Sequence, residues 1–186
     1  MVMARAPRDA APGVYHITTR GAGPCPVFLD DDDRTRFCSL LIRTLVTESW
    51  VVRAFCLMTT HYHLLIDVPN ESLPAGMRRL NGFYARGFNL RHERVGHLFG
   101  ERYTSVPAES DEHMLELLRY IARNPVRAGM CRRPADWRWS SYRDCIGRET
   151  EFPFVDSSSL LAYFGSARKR ARRRLRAFVD LAGDDE

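Results

Sequence analysis

TTHYHLLIDVP, Thr59–Pro69, is the stretch whose reading decides the fold. It is rich in aliphatic and aromatic residues and bounded by a threonine pair and a proline, so it reads as a β-strand. Successive strand side chains point to opposite faces. Tyr62, Leu64, Ile66 and Val68 therefore share one side, and His61, His63, Leu65 and Asp67 share the other. The first set has the character of a core face. The second sets two imidazoles side by side on the face expected to lie away from that core, where a cation or a phosphate has access. Two histidines alone do not establish a site.

Working outward, WVVRAFCLM on the N-terminal side is rich in β-formers and breaks at Thr59-Thr60, which predicts a tight antiparallel pair of strands. GVYHITTRG, Gly13–Gly21, alternates and runs into GAGPCP, the pattern of a first strand and a turn. DDDDRTRFCSLLIRTLVTES opens with carboxylates suited to a helix N-terminus and carries Phe37, Leu40, Leu41 and Leu45 at helical spacing. Leu73, Met77, Leu80, Tyr84 and Phe88 mark a second helix from Ser72 to about His92, and HLFGERYTSVPAES supplies a fourth strand.

The order strand, helix, strand, strand, helix, strand predicts an α+β fold. It is a ferredoxin-like or RRM-like antiparallel sheet of four to five strands with helices on one face. The other face is expected to be left free for His61 and His63. Ser110 then caps the helix DEHMLELLRYIARN, with Met114, Leu117, Leu118 and Ile121 as its apolar stripe and Pro125 expected to end it. His113, Tyr120 and Asn124 fall along one edge of that stripe, with Tyr120 and Asn124 one turn apart. A phenol and a carboxamide offered to two imidazoles would supply a nucleophile and a third metal ligand. By spacing alone the plainer account is stronger: a helix-edge tyrosine and an asparagine that caps the helix before proline.

Composition sets the class. The 186 residues, 45% apolar and 27% charged, suffice for one domain with appendages, and no apolar run approaches the roughly 20 residues that span a bilayer. The first residues lack the apolar stretch of a secretory signal, so the cytoplasm is the expected compartment. Cys25, Cys38, Cys56, Cys131 and Cys145 are scattered and never form C-x-x-C, which predicts reduced packing residues. The net charge of +5 understates a local asymmetry, because RKRARRRLR from Arg168 to Arg176 holds seven basic residues out of nine. A polyanion is the natural partner of that run, and a solvated helix face balanced by the acidic GDDE end is an equal alternative. The expected organisation is a flexible segment over 1–12, a catalytic domain over 13–150 and a basic helical tail over 151–186.

HYH fits a histidine–hydrophobic–histidine signature. Together with YIARNPVRAGM and WRWSSYRDCIG it resembles the REP-associated tyrosine transposases, within the HUH single-tyrosine transposases. The likeness runs from YHITTRG through FNLRHERVGHLFGERY to WSSY and so covers most of the chain. The resemblance implies metal-binding histidines at His61 and His63, a further polar ligand at Asn124 and a nucleophile at Tyr120. It also implies Mg²⁺ or Mn²⁺ as cofactor, and cleavage and rejoining of single-stranded, hairpin-bearing DNA such as a REP-like palindrome through a 5′-phosphotyrosine. A monomer or homodimer is expected. Thr59-Thr60 replaces the usual Pro-Asn before the histidine pair, a departure that touches the turn and not a ligand.

Arg20, Arg102, Arg123 and Arg127 flank these positions in sequence and are expected to hold the DNA backbone. His16 and His113 could support a ligand or contact DNA but read more plainly as structural hydrogen-bonders, and Trp137, Trp139 and Tyr142 could stack on bases but read more plainly as packing residues. Two other classes compete. A non-catalytic RRM-like nucleic-acid-binding module would need exposed aromatics on its central strands, where this chain offers histidines. A metal-dependent phosphodiesterase using water would cleave without a covalent adduct.

Overall fold

The computed structural model describes residues 11–148 and 151–180. The expected N-terminal segment therefore lies outside the described residues except for Ala11 and Pro12. Four strands, β1 (Gly13–Arg20), β2 (Val51–Leu57), β3 (His61–Val68) and β4 (Thr104–Pro107), form one antiparallel sheet in the order β2-β3-β1-β4. This is the ferredoxin-like order. β4 is shorter than its sequence pattern predicts; Phe99 contributes only an isolated bridge to Gly21, and the strand ends at Pro107, which has no amide to donate.

Helices α1 (Asp31–Glu48) and α2 (Leu73–Arg91) cover the face that carries Tyr62, Leu64 and Ile66. The acidic run at Asp30–Asp33 does the work expected of a helix N-terminus and more. Asp30 caps α1 by accepting from the Asp33 amide, and the buried carboxylate of Asp33 pairs with Arg91 at 2.7 Å and His92 at 3.0 Å, tying the start of α1 to the end of α2. Gly76 lets the helices approach: a Cβ there would sit 2.4 Å from the Trp50 ring, whose Nε1 donates to Ser72 Oγ.

The opposite face is not free. Helix α3 (Asp111–Arg127) lies across β2 and β3, and His63 is only 1% exposed. The expectation of an open histidine face is thereby corrected: Leu65, Ala54 and Cys56 share that face, and such an apolar surface needs a helix over it. Pro125 does not end α3, which continues to Arg127. A proline in the last turn removes a single amide, and the Ala128 and Met130 amides close the helix on the carbonyls of Asn124 and Pro125.

Beyond α3 come a 3₁₀ turn (Pro134–Asp136), a short α4 (Tyr142–Cys145), α5 (Ser157–Ala162) and α6 (Arg168–Asp180). Residues 139–141 and 155–156 run along the outer edge of β2, with hydrogen bonds from Leu57 N to Trp139 O, Ser141 N to Phe55 O and Asp156 N to Val52 O, so that edge is covered. Trp139 and Tyr142 are buried there, as packing residues should be. All five cysteines are free. α6 packs its apolar side, Ala171, Leu175 and Val179, against the body near α3 and turns its arginines outward.

Two glycines of α2 test this packing. Alanine favours a helix over glycine by about 1 kcal/mol, whereas overpacking costs about 1–3 kcal/mol. Nothing lies within 4 Å of a Cβ at Gly82, so Gly82→Ala is expected to stabilise the fold. Gly76→Ala, pressed against Trp50, is expected to destabilise it by about 1–2 kcal/mol. Urea unfolding midpoints of the two variants should move in opposite directions.

Candidate active site

The β1–β3 pairing decides which side chains meet. Thr18 stands opposite His63, and Arg20 opposite His61. His63 Nδ1 lies 3.0 Å from His16 Nε2 and 3.1 Å from Thr18 Oγ1, so its inner nitrogen is engaged from β1. His61 and His63 stand with ring centroids 4.9 Å apart and planes nearly perpendicular, and His61 Nδ1 is 3.1 Å from Thr60 Oγ1. The departure at Thr59-Thr60 leaves the turn well held: Gly21 N donates to Thr60 O, Val27 N and Phe28 N to Thr59 O, and Met58 N to His61 O.

α3 brings the other groups from above. Ser110 caps it by accepting from His113 N. Two turns on, the Tyr120 ring meets His63 edge-on at 5.6 Å and His16 at 5.8 Å. Tyr120 is 36% exposed, which leaves the phenol open to solvent. Asn124 donates through Nδ2 to Tyr120 O at 2.8 Å, which fixes the carboxamide and leaves its oxygen available. That carboxamide lies beside His63 and favours the protonated ring, but no group meets hydrogen-bond geometry at His63 Nε2, a buried nitrogen without a partner. Among the described residues no three His, Cys, Asp or Glu side chains converge as a metal site.

Burial controls the charge of the cluster. His16 is lowered to about 4, first by desolvation and then by His113, and His61 to about 4 by desolvation and then by Arg20. His63 is pushed well below the ordinary imidazole value by desolvation, then by His16, His61 and Arg20. All three rings are neutral near pH 7, the state in which imidazole lone pairs can bind a cation.

The four arginines expected to bind DNA do not form one patch. Arg20 acts electrostatically on both His61 and His63. Arg123 and Arg127 line a cavity of about 280 Å³ with His113, Arg119 and Tyr120, and the Arg127 guanidinium lies 5.3 Å over the Tyr120 ring. Arg123 also donates to Val179 O of α6. Arg102 lines a separate groove beside α2. His16, read from the sequence as a structural hydrogen-bonder, is the further member of the cluster, bonded to His63 Nδ1. Its place opposite Leu65, two residues along the ladder from the Thr18–His63 pair and on the same face, could be found only once the strands were paired.

A family model described as "Transposase IS200 like" matches residues 14–124. Among solved structures, the chain is similar to a REP-associated tyrosine transposase bound to a REP hairpin. The TM-score is 0.65, the identity 15%, and the likeness covers 80% of this chain and 87% of that one. It is also similar to a putative transposase from Deinococcus radiodurans at TM-score 0.45 and 19% identity, over 64% of this chain and 95% of that one. No curated protein matches the chain. The family match begins on β1 next to His16, takes in both histidines of β3 and ends on Asn124, so it spans the whole cluster assembled by the sheet and α3. The chain belongs to the IS200-like transposase family, enzymes that break and rejoin DNA by transesterification.

Proposed function

We propose that this transposase cleaves and rejoins single-stranded, hairpin-bearing DNA through a covalent link to Tyr120. The observation that carries the reading is the solvent-open Tyr120 phenol set edge-on against His63, whose buried Nε2 has no partner. In the forward step the Tyr120 oxygen bonds to phosphorus, the bond from phosphorus to the 3′ oxygen breaks, and that oxygen leaves as a 3′-hydroxyl after taking up a proton. A 5′-phosphotyrosine results. Reversal with another 3′-hydroxyl rejoins DNA and restores the phenol, with no nucleotide consumed. Arg127 and Arg123 line a cavity together with Tyr120, which supports a role for them in binding the phosphates that flank the reacting one.

A divalent cation fits the donor set. His61 and His63 offer neutral nitrogens, and Asn124 offers an amide oxygen whose carboxamide is anchored through Nδ2. Mixed nitrogen and oxygen donors suit Mn²⁺ or Mg²⁺, and such an ion supplies charge stabilisation at the scissile phosphate. For His63 to present a lone pair at Nε2, its proton must sit on Nδ1, donated to His16 Nε2 or Thr18 Oγ1. His16 is thus a positioning residue that holds the tautomer. The REP hairpin bound by the similar solved transposase supports a hairpin substrate here. The helix over the histidine face removes the open sheet that the RRM-like alternative requires.

Tyr120→Phe keeps the ring contacts and removes the nucleophilic oxygen. Covalent capture of single-stranded hairpin DNA, read as a slow band on a denaturing gel, should vanish while hairpin binding persists. Undiminished capture would overturn the assignment.

The imidazoles should separate by burial. His61→Ala is expected to weaken Mn²⁺ binding in calorimetric titration with little change in unfolding midpoint. His63→Ala should weaken binding and also destabilise the fold by about 1–3 kcal/mol, because it leaves buried polar partners on β1 unpaired. His16→Leu should weaken Mn²⁺ binding about 10–100-fold, as loss of a group that orients a ligand does, and His16→Gln should recover part of it.

The outward arginines of α6 are assigned to DNA affinity. Neutralising Arg168, Arg170 and Arg173 to Gln is expected to flatten the log–log salt dependence of single-strand binding by about 2 units. Tyr120→Phe, measured alongside, should leave that slope unchanged.

A further inference from the structure

The start of α3 is closed by a histidine where a carboxylate is usual. In the common N-terminal box a serine cap accepts from the third helical amide, and a glutamate or glutamine at that third position reaches back to a free amide ahead of the helix. Ser110 makes the first contact, accepting from His113 N at 3.1 Å. The return contact is made by the His113 ring, whose Nδ1 accepts from Glu109 N at 3.3 Å. With Nδ1 accepting, the proton of the neutral ring sits on Nε2, and that N–H has no hydrogen-bond partner among the described residues. The backbone thus fixes the tautomer and leaves one donor unused.

Local helix stability alone would favour a carboxylate at this position. A first turn is stabilised by negative charge, and Asp111 and Glu112 supply it. A glutamate at position 113 would serve the cap as well, but it would add a second carboxylate to the cavity that Tyr120 lines. The carboxylate already there, Glu116, is paired with Arg119 at 2.6 Å. Beside the Tyr120 phenol, the other polar side chains of the lining are donors: His113 through Nε2, and the guanidinium groups of Arg119, Arg123 and Arg127. A residue that departs from the locally preferred type, and does so only toward a shared cavity, marks function better than folding.

His113 and Arg127 stand seven residues before and after Tyr120, two helical turns or about 10 Å along the axis on either side. The His113 ring also lies near enough to His16 to act on it electrostatically, at the end of the histidine cluster away from His61. We infer that His113 is a binding residue for the strand-transfer reaction, donating from Nε2 to an oxygen of a DNA phosphate that flanks the reacting one, on the His16 side of Tyr120. A phosphodiester oxygen accepts hydrogen bonds and cannot donate, so the fixed tautomer matches it, whereas a carboxylate in its place would repel it. The inference rests on the reading that Tyr120 attacks single-stranded DNA.

The test is a coupling measurement on the full chain. The probe is a fluorescein-labelled hairpin oligonucleotide with single-stranded flanks, unmodified or carrying one methylphosphonate at each flank phosphate in turn. Anisotropy titrations in EDTA, which withholds divalent metal, give affinities for the unaltered chain, His113→Leu, His113→Gln and His113→Glu. His113→Leu is expected to weaken binding of the unmodified DNA about tenfold, the size of one lost hydrogen bond to a charged group. The log–log salt slope at about pH 8 should stay unchanged, because a neutral donor releases no counterion. At one flank phosphate the methylphosphonate should cost the unaltered chain affinity and cost His113→Leu nothing further. Glutamine can accept from Glu109 and also donate, so His113→Gln should recover part of the loss; His113→Glu keeps the cap acceptor without a donor and should not. A capping role alone predicts that His113→Glu matches the unaltered chain in affinity and in unfolding midpoint, and that methylphosphonates cost the unaltered chain and His113→Leu equally at every position. Either result would overturn the inference. Covalent capture through Tyr120 with Mn²⁺, assayed on the same preparations, separates it from the reading it rests on. Capture without coupling at any phosphate sinks the role of His113 alone, coupling without capture sinks the Tyr120 chemistry and leaves the phosphate contact standing, and failure of the unaltered chain to bind the hairpin oligonucleotide sinks both.

Discussion

The site depends on one buried imidazole held from two sides. His63 is pinned at Nδ1 by His16 and Thr18 of β1, roofed by Tyr120 and Asn124 of α3, and left with Nε2 unmet. A buried polar atom without a partner costs on the order of 1–3 kcal/mol, and a fold retains such a cost where a ligand will offset it. Strand pairing, helix crossing and the tautomer of one ring are therefore a single constraint. A register slip of one residue between β1 and β3 would turn Thr18 and His16 to the α1–α2 side and leave His63 unoriented.

That constraint explains why the sheet is covered on both faces. The α1–α2 layer supplies most of the aromatic core, in which Phe28, Phe37, Tyr62 and Tyr84 meet ring to ring. The α3 layer carries Tyr120 and Asn124, the residues of the proposed chemistry. Solvent reaches Tyr120 but not His63 beneath it, so the proposed nucleophile is accessible while the histidine cluster stays dry enough to remain neutral. α6 braces this layer from outside through Val179 O and Arg123, and through Arg119 stacked 5.4 Å over Phe178. The basic helix is thus part of the wall behind α3 as well as a charged surface.

Positive charge is distributed by task. Arg53 bridges Asp67 and Asp156 and fastens the C-terminal segment to the β2–β3 pair, and Arg91 closes α2 onto the start of α1. These are structural. The arginines beside Tyr120, along the α2 groove and on the outer side of α6 lie where a nucleic-acid backbone could reach them, on three separate surfaces.

The sequence by itself determined the elements and their order. Alternation in GVYHITTRG and HYHLLIDV, the carboxylates before α1 and the stripe Leu73, Met77, Leu80, Tyr84 and Phe88 are local patterns set by backbone periodicity, and each appears as read. The ferredoxin-like order followed from them, and the histidine pair, Tyr120 and Asn124 were recognised by resemblance. What only the tertiary structure decided was long-range. The free face became a covered one because α3 folds back across β2 and β3, and no periodicity within α3 states which surface its apolar stripe meets. The bond between His16 and His63 joins residues 47 apart in the chain, the groove beside α2 closes only when residues 96–103 return to it, and Arg102 falls there instead of beside Tyr120. Local sequence records which side chains share a face. Contacts between faces are fixed by the packing of the whole chain, and the chemistry of this site resides in those contacts.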